Sequence, residues 1–330
     1  MNLIIIPDEG YNRQVYLGGS DIAGVLGLQP RSWRTSVQIF QRKTAAPEEQ
    51  EPESPKAKRK LLARGQIVEP LVAQMLEVLH GITGTVKGHR YKDADIPAFA
   101  AEIDMEVPFG AVRHLFSIEQ GMGVSDDEIV NIEIKTVHPF AADEWGEEGS
   151  EEVPIHYAAQ IYWGLGVTKR RFAICAALFG ADDLVLYPIV RDDATIVGMR
   201  QKAWKFWEGV MSGTAPAPTN IADTLRLWPQ DDGHEVEATE EMVAAVQTLA
   251  ALTASRKSYE EGEEGVGLLI REYMKDKSAL VVDWVEIATL KAQNTQSIDS
   301  GKLKAEFPEA FKACRRVGQT RVLRLKEKAL

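Results

Sequence analysis

Residues 131–140, NIEIKTVHPF, read as a buried strand that carries a glutamate and a lysine among its aliphatics. Successive side chains of a strand alternate between faces, so Ile132 and Ile134 point to one side while Glu133 and Lys135 point to the other. Any fold this chain adopts must give that strand one apolar face and one face that displays both charges together. An edge strand with a solvated face meets the requirement. So does a strand that carries a reactive site.

The flanking pattern says what the strand is embedded in. Two β-like runs, AFAAEIDMEV and IVNIEIKTV, occupy about 96–137 and are separated by the Gly-rich EQGMGVSDDE. A helix is expected from Ile155 to Gly166, then strands at 171–178 and 184–190. The long helix ATIVGMRQKAWKFWEGVMSG follows, with Ile196, Met199, Trp204 and Trp207 on its core face. Upstream, LGGSDIAGVLGL predicts a loop and a short helix with Ser20 or Asp21 as N-cap. Residues 44–60 are rich in Pro and charge and predict a mobile loop. LLARGQIVEPLVAQMLEVLHG predicts a helix interrupted or restarted at Pro70 and stopped at Gly81.

These signals divide the chain into a first domain over 1–213, a Pro-rich linker over 214–238, and a C-terminal region over 239–330 with a helix, a short β segment and a basic tail. The tail holds Arg315, Arg316, Arg321, Arg324 and Lys326. It reads as a track for a DNA backbone or as a solvated strand, and the alternation in RVLRL suits pairing onto a sheet edge. Lys and Arg number 38 against 49 Asp and Glu, a net charge of −11, which argues against a surface that coats nucleic acid everywhere and confines any DNA contact to a local patch. The two cysteines lie far apart, and Cys175, inside RFAICAALF, reads as a buried thiol, which fits a reducing cytoplasm. No signal-peptide pattern is evident, and no uncharged run approaches the ~18 residues of a membrane span, so no membrane partner is expected.

The displayed charges acquire a chemical reading once a second acid is found. Asp104, in AAEIDMEV, supplies it, and simple alternation puts Asp104 and Glu106 on one face and Ile103 and Met105 on the other. A Mg²⁺ that assists phosphodiester hydrolysis is held by one or two acidic side chains together with substrate oxygens and water, and a neighbouring lysine orients the attacking water and favours hydroxide. An acid, a spacer of tens of residues, then Glu-x-Lys on a strand is the pattern of the PD-(D/E)XK nucleases.

A longer set of motifs carries a closer resemblance. In order the chain reads LGGSDIAGVLGL, ARGQIVEPLVAQML, Ile103-Asp104, Glu133-Ile134-Lys135-Thr136, a Trp-Gly run, and Val153-Pro154-Ile155-His156-Tyr157-Ala158-Ala159-Gln160. This set resembles the YqaJ-type viral recombinase family, relatives of lambda exonuclease, over roughly residues 10–210. The resemblance implies an α/β fold: a PD-(D/E)XK restriction-endonuclease-like core with a central mixed β-sheet flanked by helices, plus a smaller C-terminal α+β region. It assigns Asp104, Glu133 and Lys135 to the metal-binding and water-activating core, Glu69 to a helix-borne acid that helps hold the metal, and Gln160 to an amide directed at the metal site or the scissile phosphate. Tyr157 would flank Gln160. Ser20 and Arg13 would hold a 5′-terminal phosphate. Each of these also has a plain reading: Glu69 an exposed helix charge, Gln160 a surface residue, Ser20 an N-cap, Arg13 a solvated cation.

The chain departs from the family pattern at Met105-Glu106, which raises Glu106 as a competitor for the metal, and in the insert before the motif strand. His138 and His156 lack ligand spacing and read as DNA contacts or packing rather than zinc ligands. The activity implied is Mg²⁺-dependent (Mn²⁺ substituting) 5′-to-3′ degradation of linear double-stranded DNA from its ends to 5′-mononucleotides. The 3′ single strand left behind would serve a RecT-like annealing protein, with a homotrimeric ring as the assembly and a phage or prophage gene in a bacterial cytoplasm as the setting. Rival readings are a DNA-end-binding accessory protein without turnover, an endonuclease of the same superfamily, an iron-sulfur nuclease that would need four cysteines where there are two, and an acidic scaffold.

Overall fold

A computed structural model describes residues 4–5, 12–30, 33–46, 56–117, 123–316, 318 and 320–326. The chain forms two compact units, residues 1–227 and 228–330. The first runs β1 (Ile4–Ile5), α1 (Gly19–Leu26), α2 (Ser36–Thr44), α3 (Lys56–His80), β2 (Thr85–Lys92), β3 (Ala100–Pro108), α4 (Phe109–Val112), β4 (Ile129–Val137), α5 (Ile155–Thr168), β5 (Phe172–Phe179), β6 (Asp183–Val190), α6 (Asp193–Ser212) and α7 (Ile221–Leu227).

The six strands form one sheet in the order β1-β2-β3-β4-β5-β6. Only β4 and β5 are parallel; every other neighbouring pair is antiparallel. A parallel pair needs a crossover, and α5 supplies it. All eight residues of β5 are buried, because apolar layers cover both of its faces. Phe172, Ile174, Ala176 and Leu178 pack with Val72 and Leu76 of α3, whereas Ala173, Cys175 and Ala177 pack with Ile161 and Leu165 of α5 and Ile196 of α6. This is the α/β core with a central mixed sheet flanked by helices that the sequence predicts.

One strand breaks the simple alternation, and it is the one that bears Asp104. Ala101 and Ile103 belong to the cluster of Ala159 and Trp163 of α5, yet Met105 and Val107 belong to that of Val72 and Leu76 of α3. A regular strand would keep all four on one side. The register is irregular at the same point: Val86 pairs with Met105 and His89 with Ile103, so positions 87 and 88 of β2 stand opposite Asp104 alone, a β-bulge. Ile103 and Met105 thus pack in different apolar clusters, with Asp104 between them.

Other expectations are corrected by packing. The segment over 44–60 already enters α3 at Lys56, while its residues 47–55 lie outside the described residues. α3 runs through Pro70 without a break; Val72, Ala73 and Leu76, all buried on the sheet, hold it against the hydrogen bond that proline removes. Trp204 is half-exposed at 37% and donates to Glu208, leaving Ile196, Met199 and Trp207 as the buried face of α6. Within 214–238, α7 docks on α2. The buried Asp223 accepts the Thr35 hydroxyl at 2.7 Å and the Thr219 N–H and hydroxyl at 3.1 and 2.9 Å.

The second unit holds α8 (Glu240–Met274), the hairpin of β7 (Ala279–Val282) and β8 (Val285–Thr289), α9 (Ser300–Glu306) and α10 (Pro308–Cys314). The hairpin turns through Asp283 and Trp284, both at positive φ, as a two-residue turn between twisted strands demands. Arg315, Arg316, Arg321, Arg324 and Lys326 are exposed, and the described residues of RVLRL form no strand. Among the described residues no helix is long and apolar enough to cross a membrane.

Candidate active site

β3 and β4 pair from Pro108 opposite Ile129 to Met105 opposite Ile132, and there the pairing stops. Beyond that rung Asp104 Oδ2 accepts the Ile134 N–H at 2.8 Å. A carboxylate thus takes the place of a strand partner where the two strands part. β4 continues alongside β5, with Glu133 opposite Cys175 and Lys135 opposite Ala177, so Glu133 and Lys135 share a face as their spacing predicts.

Three side chains close a ring there. Glu133 Oε1 accepts from both Lys135 Nζ and Gln160 Nε2, and Lys135 Nζ also donates to Gln160 Oε1 at 3.2 Å. Gln160 reaches the ring from α5, the helix that crosses between the two parallel strands. Tyr157, one turn earlier, puts its ring 5.4 Å from Lys135 Nζ and packs against Trp33 and Trp145. Gly19, the first residue of α1, abuts Gln160. The structure therefore brings Asp104, Glu133, Lys135, Gln160 and Tyr157 together.

Burial and the neighbouring Glu133 push the Asp104 carboxyl up to about 7, against the opposing pull of Lys135 and the Ile134 N–H. Burial alone would lower the Lys135 ammonium, but Glu133 and Asp104 outweigh it and hold Lys135 above its ordinary value, fully protonated at neutral pH. Glu69, half-buried on α3, is raised by burial and then by Asp104, so it lies within the field of the same cluster. Among the described residues no three Asp, Glu, His or Cys side chains converge as a ready ligand set. Asp104, Glu133 and Glu69 thus do not close into a three-carboxylate site, because Glu133 turns toward Lys135 and Gln160. The donor set still suits a hard divalent cation: Mg²⁺ takes one or two carboxylates, and Asp104 and Glu133 stand beside a single lysine.

Ser20 is exposed and is the second residue of α1, beside Gly19. It is not the N-cap, and neither is Asp21: the helix starts from Gly18, whose N–H is taken by the Asp21 carboxylate at 3.3 Å. Arg13 is exposed in a short 3₁₀ turn, Arg13–Val15. Its carbonyl accepts the buried Lys43 Nζ at 2.6 Å, and the same ammonium binds the Tyr16 carbonyl at 2.5 Å and Asp21 Oδ2 at 2.8 Å. Arg42 completes the cluster by donating to Asp21 Oδ1 at 2.7 Å. Burial raises the Asp21 carboxyl, but Lys43 and Arg42 outweigh it and leave it below the usual range. Sequence reading missed Arg42 and Lys43; the only signal was two adjacent cations on the same short helix.

Glu106 is occupied by Tyr91, His89 and Arg170 and is no competitor for a metal. His138 caps the turn after β4 by accepting the Phe140 N–H at 3.3 Å, and His156 packs on Trp33 and Tyr157.

Residues 11–171 match the YqaJ-like viral recombinase domain. No match is found among curated proteins. Among solved structures the chain is similar to the alkaline exonuclease LHK-Exo from Laribacter hongkongensis, at 17% identity over 61% of this chain and 91% of that one, with a TM-score of 0.44. The same enzyme in complex with dAMP matches at 18% identity, 61% and 91% coverage and TM-score 0.44. A phage-related exonuclease from Haemophilus somnus 129PT matches at 14% identity over 61% of this chain and 96% of that one, with a TM-score of 0.39.

Proposed function

We propose, on the premise that through residues 11–171 this chain belongs to the YqaJ-like viral recombinase domain family, that it is a Mg²⁺-dependent 5′-to-3′ exonuclease acting on the ends of linear duplex DNA. The observation that carries the reading is the ring of Glu133, Lys135 and Gln160 beside Asp104 at the parting of β3 and β4. Asp104 and Glu133 would hold Mg²⁺, or Mn²⁺ in its place, with Glu69 contributing from α3. When bound, the ion neutralises charge that builds on the phosphoryl oxygens and favours hydroxide from water.

The side chains do the rest. Lys135 is an ammonium and has no proton-accepting capacity, so it orients the attacking water by donating a hydrogen bond. Gln160 keeps that ammonium aimed by accepting from it while donating to Glu133. Tyr157 walls Lys135 off from solvent and limits the angles it samples. Ser20, which follows Gly19 at the start of α1, and Arg13, in the 3₁₀ turn that Lys43 ties to Asp21, would grip the 5′-terminal phosphate through a hydroxyl at the helix N-terminus and a charge-assisted bond. The products would be 5′-mononucleotides and a duplex with a 3′ single-stranded overhang, the substrate of a RecT-like annealing protein. A homotrimeric ring around the DNA would keep successive turnovers on one strand.

The test is digestion of linear duplex DNA labelled separately at its 5′ and 3′ ends, with Mg²⁺ or EDTA, comparing the native chain with Lys135→Ala. Mg²⁺-dependent release of the 5′ label as mononucleotide, lost in the variant, is the expected result. Release of neither label with end binding retained would replace the exonuclease by an end-binding accessory protein, and internal cleavage would replace it by an endonuclease.

A further inference from the structure

Arg170 lies in the turn between α5 and β5, and its side chain is only 9% exposed. Nη1 donates to Glu106 Oε1 and to Asn131 Oδ1, both at 2.6 Å, and Nη2 donates to the Tyr91 hydroxyl at 3.3 Å. That hydroxyl donates to the same Glu106 oxygen at 2.6 Å, and Asn131 Nδ2 donates to Thr168 Oγ1, at the end of α5, at 3.2 Å. Burial of an ion pair is a poor route to stability, since desolvation offsets most of the attraction and a packed apolar group serves as well. What a planar guanidinium with fixed donors adds is geometry.

The location of that geometry is specific. Glu106 and Asn131 are cross-strand partners, one rung before the last pair, Met105 opposite Ile132. Asp104 is two residues beyond Glu106 on β3, and Glu133 is two beyond Asn131 on β4. Arg170 and its partners therefore join the three elements that carry Asp104, the Glu133–Lys135 pair and Gln160, at the point where β3 and β4 begin to part.

We propose that Arg170 is a positioning residue that fixes the opening between β3 and β4 and thereby the separation of the Asp104 and Glu133 carboxylates. The inference rests on those two residues holding a divalent ion, and its test reads metal binding rather than turnover. Mn²⁺ alone is titrated calorimetrically into the full chain and its variants, with the melting temperature of each recorded without metal. Arg170→Met is expected to weaken Mn²⁺ binding by about tenfold or more, the scale of losing a residue that orients metal ligands. Arg170→Lys, which keeps a donor for Glu106 or Asn131, recovers part of the loss. Arg200→Met removes a different buried ion pair, with Asp93, and is expected to lower the melting temperature while leaving Mn²⁺ affinity within about twofold, since Arg200 and Asp93 stand outside the hydrogen bonds that tie Arg170 to Glu106, Asn131 and Tyr91. If Arg170→Met does not fold, Asn131→Ala, which removes one arm, must weaken Mn²⁺ binding on its own. Native affinity in a folded Arg170→Met, or in Asn131→Ala, overturns the proposal, as does an equal loss in Arg200→Met. Native affinity in Asp104→Asn would instead overturn the metal-site reading itself.

Discussion

Gly19 at the start of α1 stands against Gln160 of α5 so closely that a Cβ on Gly19 would lie 3.1 Å from the Gln160 Cγ. Gln160 is the residue that links Glu133 to Lys135, so a single methyl group at Gly19 acts directly on the aim of the lysine. Gly19→Ala should fold, because the clash is with a flexible side chain. It should lose activity by about tenfold through a shift of a few tenths of an ångström. The check is kcat on a labelled duplex beside a melting curve; unchanged kcat would show that Gln160 does not set the lysine's position.

Removing the ammonium itself should cost more. Lys135→Met keeps the stem but loses the donor, and kcat is expected to fall by ~10²–10⁴, the usual range for one positioned proton-handling group. DNA-end affinity, measured by fluorescence anisotropy in Ca²⁺, should stay within a few-fold of native.

Asp93 and Arg200 offer a stability test away from the site. Arg200 binds Asp93 through Nη1 and Nη2 at 2.5 and 3.2 Å, and the Asp93 side chain is wholly buried. Burial raises that carboxyl, but the Arg200 hydrogen bonds, those from the Ile96 and Asp95 amides and the guanidinium charge outweigh it, leaving it below its ordinary value. Arg200→Met should destabilise by ~3–5 kcal/mol, as breaking one half of a buried pair does. A depressed carboxyl contributes stability that is complete above the unfolded value of about 3.9 and is lost as pH falls through the lower folded value. The gap in melting temperature between native and variant should thus be widest near neutrality and narrow below about pH 4.

The two cysteines should separate cleanly in thiol chemistry. Cys175 is buried between Glu133 and the α5 layer, and burial pushes its thiol up, whereas Cys314 is exposed. A thiol-specific reagent at neutral pH should modify Cys314 alone in the folded chain and both cysteines in denaturant. Rapid labelling of Cys175 in the native state would show that the β4–β5 core opens readily.

Much of the fold and of the site is legible in the amino-acid sequence. The period of two in NIEIKTV puts Glu133 and Lys135 on one face because backbone geometry alone dictates it, and the all-apolar β5 and the helices α5 and α6 follow from equally local patterns. Asp104 is found as a second acid in AAEIDMEV, Gln160 and Tyr157 are named by motif resemblance, and the fold brings the three to the same place. Periodicity extended across Asp104 does not foresee that Ile103 packs with α5 and Met105 with α3, because which layer covers each residue is set by helices distant in the chain.

The sequence by itself therefore determined β4, β5, α5 and α6 and the charged residues that one strand displays, all of which depend on neighbours a few positions away. Tertiary structure alone decided that Asp104 binds across to Ile134, that Lys43 and Arg42 hold Asp21, and that Arg170 joins Glu106 to Asn131 across separations of 64 and 39 residues. The reason is physical: a buried charge is tolerated only where partners converge from distant parts of the chain, and that convergence is a property of the packed fold rather than of any local stretch.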